Sequence, residues 1–312
     1  MPEATRKPVR GYLYIAIATF FWGICATLGR AAFTGRLPGL RALSPIDPLI
    51  LSQARVTFSF FVLLAALRLI RGGHGLRVST RDLGQLLLIG ILGVAVSNYF
   101  YYLAIQRTNV ATAITVQYTA PIWVLLYAVA RGLQKFTLQR IAAVGLALTG
   151  IALVIGVLGR SALRFDPIGI CAALLAAFSF AFYNIGGHDI LARRDRWIVL
   201  LYTTGSASLI WILINPPWKL LAAHYSAAQW LFLLAFSLLS VLGPFSFYFA
   251  GLQHLEPTRA IIASCLEPVF SIVIAAIVLG EVMHPLQVLG IIFVLAAITV
   301  AQLPGGLVEP IE

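Results

Sequence analysis

Apolar residues in this chain neither alternate with polar ones nor recur only on one stripe of a helix. They continue for about twenty residues at a time, and short clusters of charge, Gly or Pro interrupt them. Ten such runs can be marked, at 12–33, 46–70, 83–104, 110–130 and 138–157, then 167–187, 197–215, 228–251, 258–279 and 285–303. A helix rises 1.5 Å per residue, so about twenty residues cover the ~30 Å of hydrocarbon in a bilayer. Most connections are shorter than about ten residues, and the longest are 34–45 and 216–227,. Consecutive helices must then be antiparallel neighbours. The pattern predicts an all-α integral membrane protein of ten transmembrane helices, folded as a single transmembrane domain over residues 1–312.

Composition supports this. Of 312 residues, 60% are hydrophobic and 11% charged, with a mean hydropathy of +0.94. A soluble domain carries roughly 25% charged residues, because its surface faces water. The net charge of +11 does not point to nucleic acid, because no basic patch interleaved with aromatics is present,. The basic residues sit between the apolar runs and report topology. With a cytoplasmic N-terminus, 14 Lys and Arg fall inside and 7 outside, and Arg55 within the second run completes the 22. That bias predicts both termini in the cytoplasm. Cys25, Cys171 and Cys265 all lie in apolar runs without metal-ligand spacing, so buried thiols are expected, with no metal site and no disulfide framework,. Arg6, Lys7 and Arg10 before the first run superficially resemble a secretion signal. The run is too long and lacks a clear cleavage site, so it reads as an uncleaved span,.

The chain also resembles itself. The stretch Tyr101–Pro121 aligns without gaps on Tyr248–Pro268 at an offset of 147, matching Gln106 with Gln253, Ala113 with Ala260 and Pro121 with Pro268. A weaker match at offset 158 pairs Gly11 with Gly169 and Arg30 with His188. Repeat one would be residues 1–160 and repeat two 161–312. Five spans per repeat is an odd number, so the two copies enter the membrane from opposite sides. Such an inverted repeat is a common transporter design, with a solute site near the midplane between the halves.

The ten-span 5+5 pattern, Trp22-Gly23, Leu266-Glu267-Pro268-Val269-Phe270 and Leu279-Gly280-Glu281 together resemble the drug/metabolite transporter superfamily, in its EamA-type branch. The resemblance covers nearly the whole chain and is greatest to bacterial aromatic amino-acid and methionine exporters. It implies a secondary transporter exporting small hydrophobic or aromatic amino acids across an inner membrane. A proton-coupled exporter of lipophilic cations shares the fold and is the alternative. The partners implied are a small solute and the lipid bilayer, with no cofactor, and one chain of ten spans suffices for a pathway. No Walker A motif, zinc-binding helix pair or nucleophile elbow argues for an ATPase or an enzyme,.

Charge inside a membrane is costly, about 2.5–3.5 kcal/mol per group on insertion scales. Two such residues stand out. Glu267 lies near the middle of the ninth run, and Pro268 after it cannot donate to the carbonyl of Ser264, so the helix is expected to break there,. Ala260, Ser264, Glu267 and Ser271 share one face. Glu267 is either a coupling residue or a structural group at the helix break. Its repeat mate is Ala120, so the acid is not duplicated. Arg55 can hold a substrate carboxylate, pair with Asp47 or Glu267, or extend toward the headgroups. Arg259 and His188 read as interfacial, and Glu281 as a loop residue. A cavity lined by Trp22, Asn98, Tyr99, Gln117, Tyr118, Tyr183, Tyr248 and Ser264 would suit a flat apolar side chain,.

Overall fold

The structure, a computed structural model, describes residues 8–33, 45–72, 74–108, 110–156, 166–279 and 283–303. Ten helices among them are long and apolar enough to cross a membrane. Spans one and two are Pro8–Phe33 and Pro48–Arg71. Span three joins Thr80–Leu88, a π-helical segment Ile89–Ala95, and Val96–Arg107. Span four is broken into Val110–Gln117 and Ala120–Ala130, and span five is Leu138–Ile155. Spans six and seven are Pro167–Leu191 and Arg196–Ile214, followed by a short helix Pro217–Ala222. Span eight joins Ala227–Ser237, a π-helical segment Leu238–Leu242, and Gly243–Leu252. Span nine is broken into Pro257–Ser264 and Leu266–Leu279, and span ten is Pro285–Gln302.

Hydropathy located every span but not every helix end. Span one begins at Pro8 and span six runs on to Leu191, because a helix continues through the headgroup layer, where polar residues cost little. Large apolar side chains such as Leu13, Phe61 and Ile277 point outward, the arrangement a lipid solvent allows. Cys25 and Cys265 are buried, whereas Cys171 is exposed on span six. An all-apolar helix gives no sequence signal for which face turns inward.

The interior is built from small and hydroxylated residues. Thr19, Thr203 and Ser237 are buried and satisfy themselves on carbonyls four residues back in their own helices,. Spans five and ten pack closely through Gly150 and Gly290. A β-carbon on Gly150 would lie 2.8 Å from the carbonyl oxygen of Gly290, and the converse distance is 2.7 Å. Such backbone approach replaces the hydrophobic drive that lipid removes.

Structural features recur at the spacing of the sequence repeat. Both π-helical segments lie at equivalent places, and both helix breaks fall after the mates Gln117 and Ser264. Asp47 and Asp195 each accept the N–H two residues on at the starts of spans two and seven, at 2.7 and 3.0 Å. Ser79 and Ser226 cap spans three and eight in the same way. Helix contacts repeat too: span one packs on eight and nine as span six packs on three and four. Gly11 fits against His254 and Leu255, while its mate Gly169 fits against their mates Arg107 and Thr108. Rings Phe20 and Phe270 meet at 5.5 Å, and their mates Phe178 and Trp123 meet at 4.1 Å.

The two faces of the bundle differ. On one, the connection between spans two and three joins that between six and seven by ions: Arg194 to Asp82 at 2.6 Å, Arg193 to Asp82 at 3.6 Å and Arg71 to Asp195 at 3.1 Å. Arg140 and Glu256 meet at 3.7 Å between the next two connections on that face. On the opposite face, among the described residues, the corresponding connections meet through neutral groups. The Asp47 N–H donates to the Tyr225 hydroxyl at 2.9 Å, and Asn215 donates to Gln53 at 2.7 Å. Of the described Lys and Arg, only Arg30, Arg107 and Lys219 belong to this second face, with Arg55 in the interior.

Candidate functional site

Ser240 lies in the π-helical segment of span eight, four residues before Pro244. Proline has no N–H, so the carbonyl of Ser240 lacks its ordinary helical donor. It accepts instead from Trp22 Nε1 of span one at 3.2 Å and from Arg55 Nη2 of span two at 3.4 Å. The helical irregularity thus fixes an indole and a guanidinium near the centre of the bundle. The Arg55 guanidinium also stands 5.9 Å from the ring centre of Phe236, within cation–π range. Arg55 Nε is buried and without a hydrogen-bond partner, as are the Tyr183 hydroxyl and Ser240 Oγ.

Arg55 borders a small, partly open cleft of about 40 Å³, lined also by Val56, Val94, Asn98, Tyr183, Leu200, Thr203, Thr204, Val241 and Phe245. Eight of these ten form four repeat-mate pairs: Arg55 with Thr203, Val56 with Thr204, Val94 with Val241, and Asn98 with Phe245. The cleft is therefore lined mainly by positions that correspond in the two sequence repeats. The pairs are chemically unequal, since repeat one supplies the cation and the amide, while repeat two supplies a hydroxyl and a ring. No acidic residue lines it. Asn98 Nδ2 donates to the Val94 carbonyl at 2.9 Å, which leaves its oxygen free to accept,.

Behind this lining stands an aromatic cluster. Trp22 meets Phe245 at 5.0 Å and Tyr248 at 5.3 Å, and Tyr183 stacks on Phe249 at 5.5 Å. Tyr248 is fully buried and its hydroxyl is bonded to Asn184.

A second polar arrangement joins the broken spans. Tyr118 lies in the break of span four and Glu267 just beyond the break of span nine, and the Tyr118 hydroxyl donates to Glu267 Oε2 at 2.8 Å. Pro121 and Pro268 follow the breaks at equivalent positions, and neither can donate to the carbonyl four residues earlier,.

The residues expected from sequence therefore separate into groups. Arg55, Asn98 and Tyr183 line the cleft, and Trp22 and Tyr248 form the ring layer behind it. Tyr99 is 39% exposed and packs on Phe100, so it turns away from the lining its neighbour Asn98 reaches,. Gln117 is half-buried outside the lining, and Ser264 is buried with its hydroxyl on the Ile261 carbonyl. Tyr118, Glu267 and Pro268 form the joint between broken helices and do not line the cleft. Arg55 makes no ion pair with Asp47, which caps span two, nor with Glu267. His188 is tied between helices, its Nδ1 2.9 Å from the Leu252 carbonyl. Glu281 and both chain ends lie outside the described residues, as do the side chains of Arg30 and Gln106. Sequence reasoning missed Thr203, Thr204 and Phe245 as lining. Extending the repeat through the matched caps Asp47 and Asp195 finds them as mates of Arg55, Val56 and Asn98.

The model of the EamA-like transporter family matches residues 9–156 and 167–302. The chain belongs to that family. The two matched stretches divide it where the structural repeat does. Among relatives, an uncharacterized inner membrane transporter, YicL of Salmonella typhimurium, is 25% identical over 309 residues, 96% of each chain. The threonine/homoserine exporter RhtA of the same species is 28% identical over 307 residues, covering 95% of this chain and 93% of its own. A crystal structure of a protein 20% identical superposes at a TM-score of 0.73 over 94% of this chain and 96% of that one, so the fold is shared. These relatives are transporters, and this chain is a multi-pass membrane transporter rather than an enzyme.

Proposed function

We propose that this chain is a secondary exporter of amino acids and closely related metabolites, working by alternating access at the cleft between two inverted repeats. The observation that carries this reading is the cleft itself, lined mainly by repeat mates from the two halves. A site between such repeats can be opened to either side by equivalent movements of the two. Residues 1–160 and 161–312 are the repeats in this reading. The basic face is cytoplasmic by the positive-inside rule, which puts both termini there, in an inner membrane of the kind that holds the YicL relative.

The substrate class follows from the lining and from the named relative. Arg55, Asn98, Thr203 and Thr204 offer polar groups at one part of the cleft, and Tyr183, Phe245, Val94 and Val241 offer apolar contact. This composition suits a zwitterion with a small or flat side chain. Threonine and homoserine, which name the RhtA relative, are such molecules, as is the aromatic class suggested by the sequence. A lipophilic cation is disfavoured beside the Arg55 charge, and Glu267, the acid that could answer it, is engaged by Tyr118 and stands outside the lining. The multidrug antiporter reading is therefore the weaker one.

The test is counterflow of radiolabelled threonine and phenylalanine in proteoliposomes holding only this protein, beside tetraphenylphosphonium, with and without a pH gradient. Saturable amino-acid exchange indifferent to the gradient is expected. Movement of the cation alone would overturn the proposal and restore the multidrug reading.

A further inference from the structure

We infer that Arg55 and Tyr183 form a carboxylate pole in the cleft, so that a free carboxylate is the obligatory part of the solute. The inference rests on the transport reading and narrows its substrate class.

Arg55 is a cation in a membrane interior with no ion-pair partner within 4.0 Å among the described residues, a costly state unless something answers the charge,. Its own fold answers only part of it. Nη2 is held by the Ser240 carbonyl and the ring of Phe236 stands nearby, which together restrain the guanidinium. Nε keeps its hydrogen unpartnered although it is buried. Within the same lining, Tyr183 is 2% exposed, and its hydroxyl also lacks a partner. Buried polar groups in folded proteins are normally bonded, and each exception calls for an explanation. Glu267 acts on the Arg55 charge through space but beyond ion-pair distance, and two unsatisfied donors beside that cation have a common answer in an anionic acceptor with two oxygens. A planar carboxylate matches the fork of a guanidinium, and its remaining lone pairs can take the phenol hydrogen.

The other groups set the rest of the solute. With no acid in the lining, an ammonium is met only by neutral acceptors, of which the Asn98 oxygen is the free one. Amine recognition is then secondary to carboxylate recognition. Phe245, Val94, Val241 and Leu200 bound the space left for the side chain.

The experiment compares competitors in the counterflow assay on the full chain. Labelled threonine and phenylalanine are challenged with the parent acids, their amides, the corresponding decarboxylated amines and tetraphenylphosphonium. Parent acids are expected to compete roughly ten- to hundredfold better than their amides or amines, the ratio set by losing charge-assisted hydrogen bonds. Arg55→Gln is expected to raise KM by a similar factor, and Tyr183→Phe by about three- to tenfold. Arg55→Lys should recover charge but not the fork, and so fall between wild type and Arg55→Gln. Exchange in which amides compete as well as acids would overturn the carboxylate pole while leaving amino-acid transport standing. An unchanged KM in a folded Arg55→Gln protein would do the same. Movement of tetraphenylphosphonium alone overturns both readings. Should Arg55→Gln fail to fold, the comparison of acids with amides on the wild type still decides.

Discussion

The hydrogen bond between Tyr118 and Glu267 ties the two broken helices together, and a double-mutant cycle can weigh it. Tyr118→Phe removes the donor and leaves the ring, so packing is nearly unchanged and the carboxylate loses a 2.8 Å partner inside the bundle. A bond to a charged group is worth about 1.5–3 kcal/mol, and an unsatisfied buried acceptor adds to the loss, so a cost of about 2 kcal/mol is expected. Glu267→Gln keeps a carbonyl oxygen for the phenol and weakens the bond to a neutral one, at about 1 kcal/mol. In the double variant the second change has nothing left to weaken. It should cost about 2 kcal/mol rather than the sum of about 3, a coupling of about 1 kcal/mol. Unfolding free energies come from titrating the protein in mixed micelles with sodium dodecyl sulfate, following tryptophan fluorescence. Single costs that add to within about 0.3–0.5 kcal/mol would refute the reasoning, because residues that share no interaction behave that way. Glu267 would then owe its place to something other than Tyr118.

Four further outcomes follow from the packing, the faces and the site. Gly290→Val should destabilise by about 1–3 kcal/mol in the same titration through overpacking against span five,. Gly145→Ala, where an added β-carbon meets nothing within 4 Å, should change stability by less than about 0.5 kcal/mol,. Asp82→Asn removes the anion shared by Arg193 and Arg194. A cysteine placed at Leu83 beside it should then react about threefold to fivefold faster with an impermeant maleimide, as expected from loss of about 1 kcal/mol of partly exposed pairing, and unchanged labelling would deny that the pairs order this face. Pro244→Ala restores a donor to the Ser240 carbonyl,. It should raise KM for exchange by loosening Arg55, without lowering the unfolding free energy, and a variant of unchanged KM would remove the proline from the account of the site.

The fold was readable because its determinants are long-range averages: twenty-residue apolar runs and short connections survive any uncertainty about single residues. The break at Glu267-Pro268 was readable too, since proline acts on a known carbonyl. What could not be read was which way a side chain on an apolar helix faces. Asn98 and Tyr99 are neighbours, yet one lines the cleft and the other is exposed. Tyr118 was grouped with the cavity because it lies deep in a span, but the helix break beside it turns its hydroxyl to Glu267. Arg55 was recognisable as a costly charge, whereas its anchor was not. The Ser240 carbonyl is freed by Pro244, a residue with no chemistry of its own to attract notice in a sequence.

Exact symmetry between the halves would give a transporter two states of equal energy and a site indifferent to the polarity of its solute. The departures from symmetry make the two states unequal and give the site a polarity. At the cleft, Arg55 opposes Thr203 and Asn98 opposes Phe245, so a solute with one charged end and one apolar part is held in one orientation. At the faces, Asp82 binds two arginines, whereas its mate Gln229 is a neutral amide that caps its own helix start with Ser226. Among the described residues, the contacts of one face are therefore ionic and those of the other neutral. Salt screens the first far more than the second, so the balance between the two states should tilt toward opening of the basic face as ionic strength rises. In the proposed mechanism a solute shifts this balance only by as much as its affinity for the two states differs, and the solute gradient sets the direction of net flux.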